Sequence, residues 1–280
     1  MTDHLFDDAL LLDAQASGQY VGATSPAWWN MVGPFGGVTA AVALNAIMVH
    51  PERLGEPICL TVNFASALAQ GTFEVSAHAV RTNRSTQHWV LALRQADANG
   101  VDTVVLTGTA ITAVRRETWG ANDMPMPEVA PPDAVARLTP PSEAVAWIQR
   151  YDMRPVTGPL PSTWDGGASS DDPQLASLTQ LWVRDDPLRP LDFASLTAMA
   201  DVFFPRIWLR RSVRVPVGTV SLTVYFHAGV EQLAESGAGY LLGQARGQAF
   251  RNGFFDQAGL LWSAAGTLLA TTHQLVYFKE

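Results

Sequence analysis

Three polar residues, Asp201, Thr219 and Gln274, are the strongest candidates for chemistry in this chain. Asp201 ends a predicted helix, and the other two lie on predicted strands of a β-rich second half. A carboxylate can take a proton from water, whereas a hydroxyl and an amide can hold that water by hydrogen bonds. The three side chains together therefore indicate a site that activates water.

Asp201 lies at the end of a pattern that predicts a helix over residues 192–204. Asp192 can cap the first amides, and Pro205 stops the pattern. Apolar residues recur there at helical spacing, at Phe193, Leu196, Ala200 and Phe203. Asp201 falls on the flank of this stripe in the last turn, where the dipole of its own helix disfavours a carboxylate. A solvated carboxylate at a helix end is the alternative interpretation.

Thr219 and Gln274 belong to two runs with the alternation of strands. In residues 219–227 the apolar side chains share one face, so Thr219 is predicted to point to the opposite face. Strand propensity alone can account for a threonine there. In residues 267–278 Gln274 interrupts a mostly apolar face. A buried amide needs partners, and a backbone group, a bound water or a substrate carbonyl would each satisfy it.

The chain repeats one arrangement twice. A helix that begins at Gly36 and Gly37 and ends before Pro51 is apolar over most of its circumference, which is typical of a buried helix. Strand patterns follow it at residues 58–67, 72–81, 87–96 and 101–114. The second half has a strand at 176–183, the helix at 192–204, and strands at 219–227, 240–250, 254–263 and 267–278. In each half an antiparallel sheet can wrap around one helix and bury its apolar surface. This arrangement, present twice, predicts an α+β fold.

Prolines mark the boundary between the halves. Nine of the 18 prolines fall between residues 125 and 161, which predicts an extended connector. Within it, residues 142–150 predict a short helix. The expected organisation is an N-terminal unit at residues 1–117, a connector at 118–150, and a C-terminal unit at 151–280 that carries the candidate residues.

The composition is that of a soluble globular protein, with 48% hydrophobic and 16% charged residues in a chain of 280. The first residues are acidic, and the longest nearly apolar run is too short to span a bilayer, so we expect a cytoplasmic location and no membrane partner. The net charge of −8 disfavours nucleic acid as a partner. The single cysteine, Cys59, excludes an internal disulfide and is interpreted as a core residue.

Several familiar catalytic patterns are absent from the sequence. There is no Gly-x-Ser-x-Gly nucleophile elbow and no phosphate-binding loop. The six histidines are scattered without the spacing of metal ligands, so we expect neither a metal nor another cofactor.

The order of several short motifs resembles the acyl-CoA thioesterase II (TesB-like) family. The motifs are FGG at 35–37, YDMRPV at 151–156, LWVR at 181–184, YFH at 225–227 and GTLLATTHQ at 266–274. The likeness covers almost the whole chain apart from residues 119–150. The chain departs from some family members at residues 58–63, which lack their histidine, and at Ser221, where they carry an aspartate.

The resemblance implies a double hotdog fold, hydrolysis of an acyl-CoA substrate to a free acid and CoA, and a role in lipid metabolism. By position it places the water-holding roles on Asp201, Thr219 and Gln274. Backbone amides at a helix start would stabilise the oxyanion. They would be those of Gly36 and Gly37 or those around Phe193, and the sequence leaves this choice open.

Arginines follow the Asp201 helix, at Arg206, Arg210, Arg211 and Arg214. Arg210 and Arg211 are candidates to bind the phosphates of CoA, with a solvated loop as the alternative. Trp28 and Trp29 precede the glycine pair and are interpreted as core residues, with walls of an acyl pocket or an interface between the halves as alternatives.

Two other functions are compatible with the sequence. A hydratase or dehydratase on the same fold would need an Asp–His pair near the helix, which the sequence does not display. A non-catalytic acyl-CoA-binding protein would share the fold without the activity. In the first half the nearest counterpart of Asp201 is Asn45, whose amide cannot accept a proton, so only the second half is expected to be catalytic. Acyl chain length and a homo-oligomeric state are not determined by the sequence.

Overall fold

The computed structural model describes residues 4–140, 145–167, 170–172 and 175–280. Five α-helices occur in this part of the chain: α1 Leu5–Ala9, α2 Gly36–Met48, α3 Phe193–Met199, α4 Arg206–Arg211 and α5 Val230–Ser236. The predicted short helix at 142–150 falls partly outside the described residues, and within them Ala146–Arg150 forms a 3-10 helix. No helix of the described chain is both long and apolar enough to cross a membrane.

Thirteen strands are present in the described residues. The first half contributes β1 Asp13–Ala16, β2 Gln19–Ala23, β3 Glu56–Phe64, β4 Thr72–Thr82, β5 Thr86–Ala96 and β6 Asp102–Ala113. The second half contributes β7 Tyr151–Thr157, β8 Thr179–Asp185, β9 Val217–Phe226, β10 Leu241–Arg246, β11 Phe250–Arg251, β12 Phe254–Ser263 and β13 Leu268–Phe278. The strands β1, β2 and β7 were not expected from the strand patterns.

All strands join into one antiparallel sheet in the order β1-β2-β4-β5-β6-β3-β9-β13-β12-β10-β8-β7, and β11 pairs with β12. The halves meet where β3 pairs with β9, and the hydroxyls of Thr61 and Thr223 lie 3.0 Å apart across this seam. One core cluster contains buried residues of both halves, among them Leu44, Leu196 and Leu222. The fold is therefore the double hotdog that the resemblance implied.

The two central helices, α2 and α3, pack against each other and begin differently. At the start of α2 no side chain caps the helix, and Gly36 and Gly37 open it. A Cβ added to Gly37 would lie 2.5 Å from the carbonyl oxygen of Ala198 in α3, so glycine permits the close approach of the two helices. In contrast, α3 begins with the expected cap, because the carboxylate of Asp192 accepts a hydrogen bond from the amide of Ser195 at 2.8 Å.

The helix that precedes Asp201 is shorter than predicted. It ends at Met199, whereas the apolar spacing predicted a helix to residue 204. The amide of Asp201 bonds the carbonyl of Ala198 at 3.2 Å, and that of Val202 bonds Met199, so tighter i to i−3 bonds replace the helical pattern. The side chains of Val202, Phe203 and Phe204 are buried in the core. Their contacts with the core, and not a continued helix, explain why the residues after Asp201 are apolar. Asp201 consequently lies just beyond the helix instead of in its last turn.

The connector crosses one face of the second half's sheet as an extended strap. The indole N–H of Trp182 donates to the carbonyl of Ala130 at 2.8 Å, and that of Trp262 donates to the carbonyl of Met124 at 3.0 Å. Met126, Val129 and Val135 pack on the apolar cluster that contains both tryptophans. The connector therefore covers apolar surface that the sheet alone would expose to water.

We predict that Gly37→Ala lowers the free energy of unfolding by roughly 1–3 kcal/mol, because the new Cβ meets a backbone carbonyl that cannot move independently. Helix propensity alone would favour alanine by up to about 1 kcal/mol, so the sign of the change is diagnostic. Urea denaturation measures it. Gly120→Ala is the control, since an added Cβ there meets nothing within 4 Å. A Gly37→Ala protein as stable as this control would contradict the packing argument.

Candidate active site

The carboxylate of Asp201 lies over the N-terminus of α2, the central helix of the other half. The amide of Gly37 donates a hydrogen bond to it, and the side-chain amide of Gln274 donates to its Oδ1 at 2.7 Å. A Cβ added to Gly36 would lie 2.8 Å from its Oδ2. The unpaired amides and dipole of α2 favour a negative charge here, which offsets the unfavourable end of α3. Sequence reasoning considered only the helix that precedes Asp201 and missed this compensation.

Burial governs the proton affinity of this carboxylate. Desolvation raises the pKa of Asp201 to about 7, while the hydrogen bonds from Gln274 and Gly37 act in the opposite direction. A carboxyl group with a pKa near neutrality is present in both ionisation states at pH 7. It can accept a proton and return it, which is the requirement for a general base.

Gln274 lies on the inner face of β13 and is only 4% exposed. Its strand neighbours are Leu222 in β9 and Gln257 in β12. Gln257 is 3% exposed on the same face, and Thr272, two residues from Gln274, has a buried hydroxyl with no hydrogen-bond partner in the described chain. Sequence reasoning missed both residues. The alternation that singled out Gln274 applies equally to residues 254–263 and could have found Gln257.

The structure corrects the predicted face of Thr219. Leu222 pairs with Gln274 and Ser221 with Leu275, but the next pair is Thr219 with Val276, so β9 contains one extra residue at this point. Such a bulge reverses the alternation beyond it. Val276 shares the face of Gln274, and Thr219 therefore lies on that face rather than opposite to it. Its hydroxyl forms no hydrogen bond to Asp201 or Gln274 in the described part of the chain.

The two candidate oxyanion sites differ in their relation to Asp201. The structure brings the start of α2, with Gly36 and Gly37, against the carboxylate. It places Phe193 at the other end of α3, about 12 Å away at about 1.5 Å per residue. The ring of Phe193 is buried against that of Phe226, with centroids 5.6 Å apart. The start of α3 is also closed by its cap and by an ion pair between Asp192 and Arg189.

The predicted arginine cluster is divided among different environments. Arg210 and Arg211 line a cavity of about 790 Å³ near α4. Arg206 is fully buried, and Arg214 lies over the ring of Trp164 at 4.5 Å from its centroid. None of these side chains hydrogen-bonds to Asp201, Gln274 or Thr219 in the described residues.

A buried tyrosine and a second buried aspartate lie behind the site. Tyr151 pairs with Asp185 across β7 and β8, and each is 2% exposed. The Tyr151 hydroxyl and both Asp185 carboxylate oxygens have no hydrogen-bond partner in the described chain. Burial, and then the charges of Asp185 and Asp201, raise the pKa of Tyr151. No sequence pattern indicated this pair, because it forms where β7, a strand that the patterns did not predict, pairs with β8.

The aromatic residues before α2 are packed inside the protein. Trp28 is fully buried, with its ring edge-on to Tyr151 at 5.7 Å between centroids. Phe35, at the start of α2, stacks on Trp147 of the connector at 4.2 Å. The structure supports core packing for Trp28, at a contact between the halves, and the Trp28 carbonyl accepts a hydrogen bond from the amide of Phe35 at the start of α2.

The fold and this arrangement define a class: a double hotdog protein with a buried carboxylate between its two halves. Family models agree with the fold. The acyl-CoA thioesterase N-terminal domain matches residues 25–113, and the acyl-CoA thioesterase C-terminal domain matches residues 127–278. The chain belongs to the acyl-CoA thioesterase family.

Solved structures show the same architecture. A conserved protein of unknown function with hot dog fold from Alicyclobacillus acidocaldarius is 45% identical, with a TM-score of 0.90 over 100% of this chain and 99% of that one. A putative thioesterase II from Thermobifida fusca is 19% identical, with a TM-score of 0.78 over 99% and 98%. The acyl-CoA thioesterase II TesB2 from Mycobacterium marinum is 19% identical, with a TM-score of 0.76 over 98% of each chain. No curated protein matches the chain.

Asp185 should make the protein less stable as the pH rises. Burial raises its pKa from 3.8 to about 7, so the folded state holds a proton that the unfolded state releases above pH 4. The contribution of Asp185 to the free energy of unfolding is therefore greatest below its unfolded pKa and falls as the pH rises to about 7. We predict that Asp185→Asn weakens this decline and raises stability at pH 8 by up to about 4 kcal/mol. Urea denaturation at pH 5 and pH 8 measures it, with the exposed Asp123→Asn as control; equal pH dependence in both variants would refute the prediction.

Proposed function

We propose that this protein hydrolyses acyl-CoA thioesters with a water molecule that Asp201 activates. The observation that carries the proposal is the buried Asp201 carboxylate, held by Gln274 and the amide of Gly37, with a pKa of about 7. In this reaction water attacks the thioester carbonyl carbon and gives a proton to Asp201. The carbon–sulfur bond then breaks, and the proton returns from Asp201 to the departing CoA sulfur. The products are the free acid and the CoA thiol.

The neighbouring side chains have separate roles in this proposal. The amide nitrogen of Gln274 bonds Asp201, which orients the carboxylate and leaves the amide oxygen to accept a hydrogen bond from water. Thr219 lies on the same sheet face, where its hydroxyl would hold that water from a second direction. Both groups act by positioning the water, so each contributes less than the base itself.

The start of α2 is the better candidate for the oxyanion site. Gly36 has no Cβ between its backbone and the Asp201 carboxylate, so a substrate carbonyl can approach the first amides of the helix closely. The amide of Gly37 is already bonded to Asp201, which leaves that of Gly36 as the donor. The proposal therefore draws the base from one half and the oxyanion site from the other.

The first half does not offer an equivalent base. Asn45 donates its side-chain amide to the carbonyl of Leu10 at 2.8 Å, which is a structural hydrogen bond. We therefore propose one productive site per chain, with the first half contributing the start of α2 and a wall of the site.

Asp201→Asn should lower turnover by at least about 100-fold, the lower range for loss of a general base. In the wild-type protein turnover should rise with pH through about 7, as the base loses its proton. The folded pKa lies above the unfolded value of 3.8, so ionisation costs stability as the pH rises and the asparagine variant should be at least as stable at pH 8. Thiol release from a panel of acyl-CoAs measures turnover. Full turnover in the folded variant would remove Asp201 from the mechanism, and no release by the wild-type protein would favour a non-catalytic acyl-CoA-binding protein.

Gln274→Ala should lower turnover by roughly tenfold and move the pH profile to higher pH. The reason for the shift is that the Gln274 hydrogen bond lowers the pKa of Asp201, and its removal leaves burial less opposed. Gln257→Ala is the matched control, because Gln257 is equally buried and directly opposite in the sheet but does not bond Asp201. Turnover against pH is the measurement. If both variants displaced the profile equally, Gln274 would be a structural amide.

A further inference from the structure

A ligand-sized cavity lies beside α4 and the end of β10. Its volume is about 790 Å³, which is within the range of roughly 300–1,000 Å³ typical of small-molecule sites. Three arginines, Arg210, Arg211 and Arg246, line it together with the apolar side chains of Ile207, Phe250 and Leu260. The cavity thus combines a cationic side with an apolar side.

The charge in this cavity is only partly balanced by the residues around it. No carboxylate is among its described lining residues, although the whole chain has a net charge of −8. Arg211 pairs with Glu280, but neither Arg210 nor Arg246 has an ion-pair partner among the described residues. Like charges gathered without a counter-ion repel one another, and a bound anion would remove that cost.

A fourth cation lies behind the cavity wall. Arg206 is 0% exposed, and its guanidinium donates to the carbonyls of Phe204 and Ser177 and, at 2.7 Å, to the hydroxyl of Thr179. These partners are neutral, and burial lowers the pKa of Arg206 to about 9. Ser177 also lines the cavity, so Arg206 adds positive potential there. A buried charge without a counter-charge is costly, and an anion in the cavity would provide one.

The cavity lies at the end of β10 and has lining residues on both faces of the sheet. Phe250 pairs with Phe255, and Ile207 packs in the same cluster, on the face that Gln274 shares. Gln257 pairs with Gln274 and shares its inner face, and a Cβ on Gly259 would meet Thr272, which is also on that face. The intervening residues of β12, Ala258 and Leu260, therefore point to the other face, where they line the cavity. Arg246, which pairs with Ala258, is thus separated from Gln274 by the thickness of the sheet, whereas the apolar side of the cavity reaches the face of Gln274.

We propose that this cavity is a binding site for a nucleoside phosphate with at least two negative charges. The phosphates would contact Arg210, Arg211 and Arg246, whose planar guanidinium groups match phosphate oxygens. The base would lie against Ile207, Phe250 and Leu260. Inorganic phosphate alone would leave most of the volume and the apolar side unoccupied. The same chemistry has two sources, a free nucleotide and the nucleotide part of a CoA that reaches around the end of β10.

Calorimetric titration with ADP tests the site without relying on hydrolysis. Arg210→Ala/Arg246→Ala should weaken binding at least about tenfold, since each lost contact to a charged group is worth about a factor of ten. The control is Arg84→Ala/Arg116→Ala, which removes the same charge from two exposed positions outside the cavity and should leave binding unchanged. Arg210 and Arg246 are both exposed, so the double variant is expected to fold. A thermal melt checks this.

Phe250→Ala and titration with inorganic phosphate test the apolar side. The variant should weaken ADP binding, and phosphate should bind more weakly than ADP. The proposal would be overturned if ADP gave no binding to the wild-type protein, if both arginine double variants bound it equally, or if phosphate bound as tightly as ADP.

Kinetics with an acyl-CoA then identify the source of the ligand. If the cavity holds the nucleotide part of the substrate, ADP competes with acyl-CoA and Arg210→Ala/Arg246→Ala raises KM with little change in kcat. If it holds a free nucleotide, ADP alters turnover without competing. Either result supports the site, and absence of hydrolysis would refute the proposed function while leaving the titration result intact.

Discussion

The contact between the Asp201 carboxylate and the start of α2 is the interaction on which the arrangement of this protein depends. It places a charged group where three elements from both halves converge: the end of α3, the beginning of α2 and the inner face of β13. Burial opposes the charge, and the amides of Gly37 and Gln274 support it. Burial and these hydrogen bonds together set the pKa of Asp201 at about 7, so the carboxyl group exchanges a proton near neutral pH. An exposed aspartate, or one whose burial was fully offset by hydrogen bonds, would stay ionised there.

That contact requires the two central helices to approach closely. Gly37 permits this because a side chain there would meet the backbone of Ala198, and Gly36 leaves space beside the carboxylate itself. The helices are consequently not equivalent. The start of α2 is open and receives a carboxylate from the other half, whereas the start of α3 is filled by its own cap. Asymmetry between two similar units thus follows from which helix start is left without a side-chain cap.

The continuous sheet separates the chemistry into two faces. Its inner face carries Gln274, Gln257 and Thr272, while its other face carries the strap of the connector and the side of the cavity that Arg246 lines. A single extra residue in β9 decides on which of these faces Thr219 lies. Local irregularity in one strand can therefore add or remove a side chain from a site without altering the overall fold.

The sequence alone determined the two-unit α+β organisation, most strands, the opening of α2 at its glycine pair and the cap of α3. Each depends on local periodicity or on residues with restricted conformations, which neighbouring residues are sufficient to specify. The family resemblance also singled out Asp201 and Gln274, which the structure joins by a hydrogen bond. The sequence did not determine where α3 ends, because the side chains after Asp201 pack into the core, or the face of Thr219, because the bulge is set by pairing with β13. Tertiary structure alone brought Asp201 to the start of α2, paired Tyr151 with Asp185 and separated the arginines. These relations depend on burial and on close approach of the elements, which exist only in the folded protein, and the contact of Asp201 with α2 exists only after the two halves have packed together.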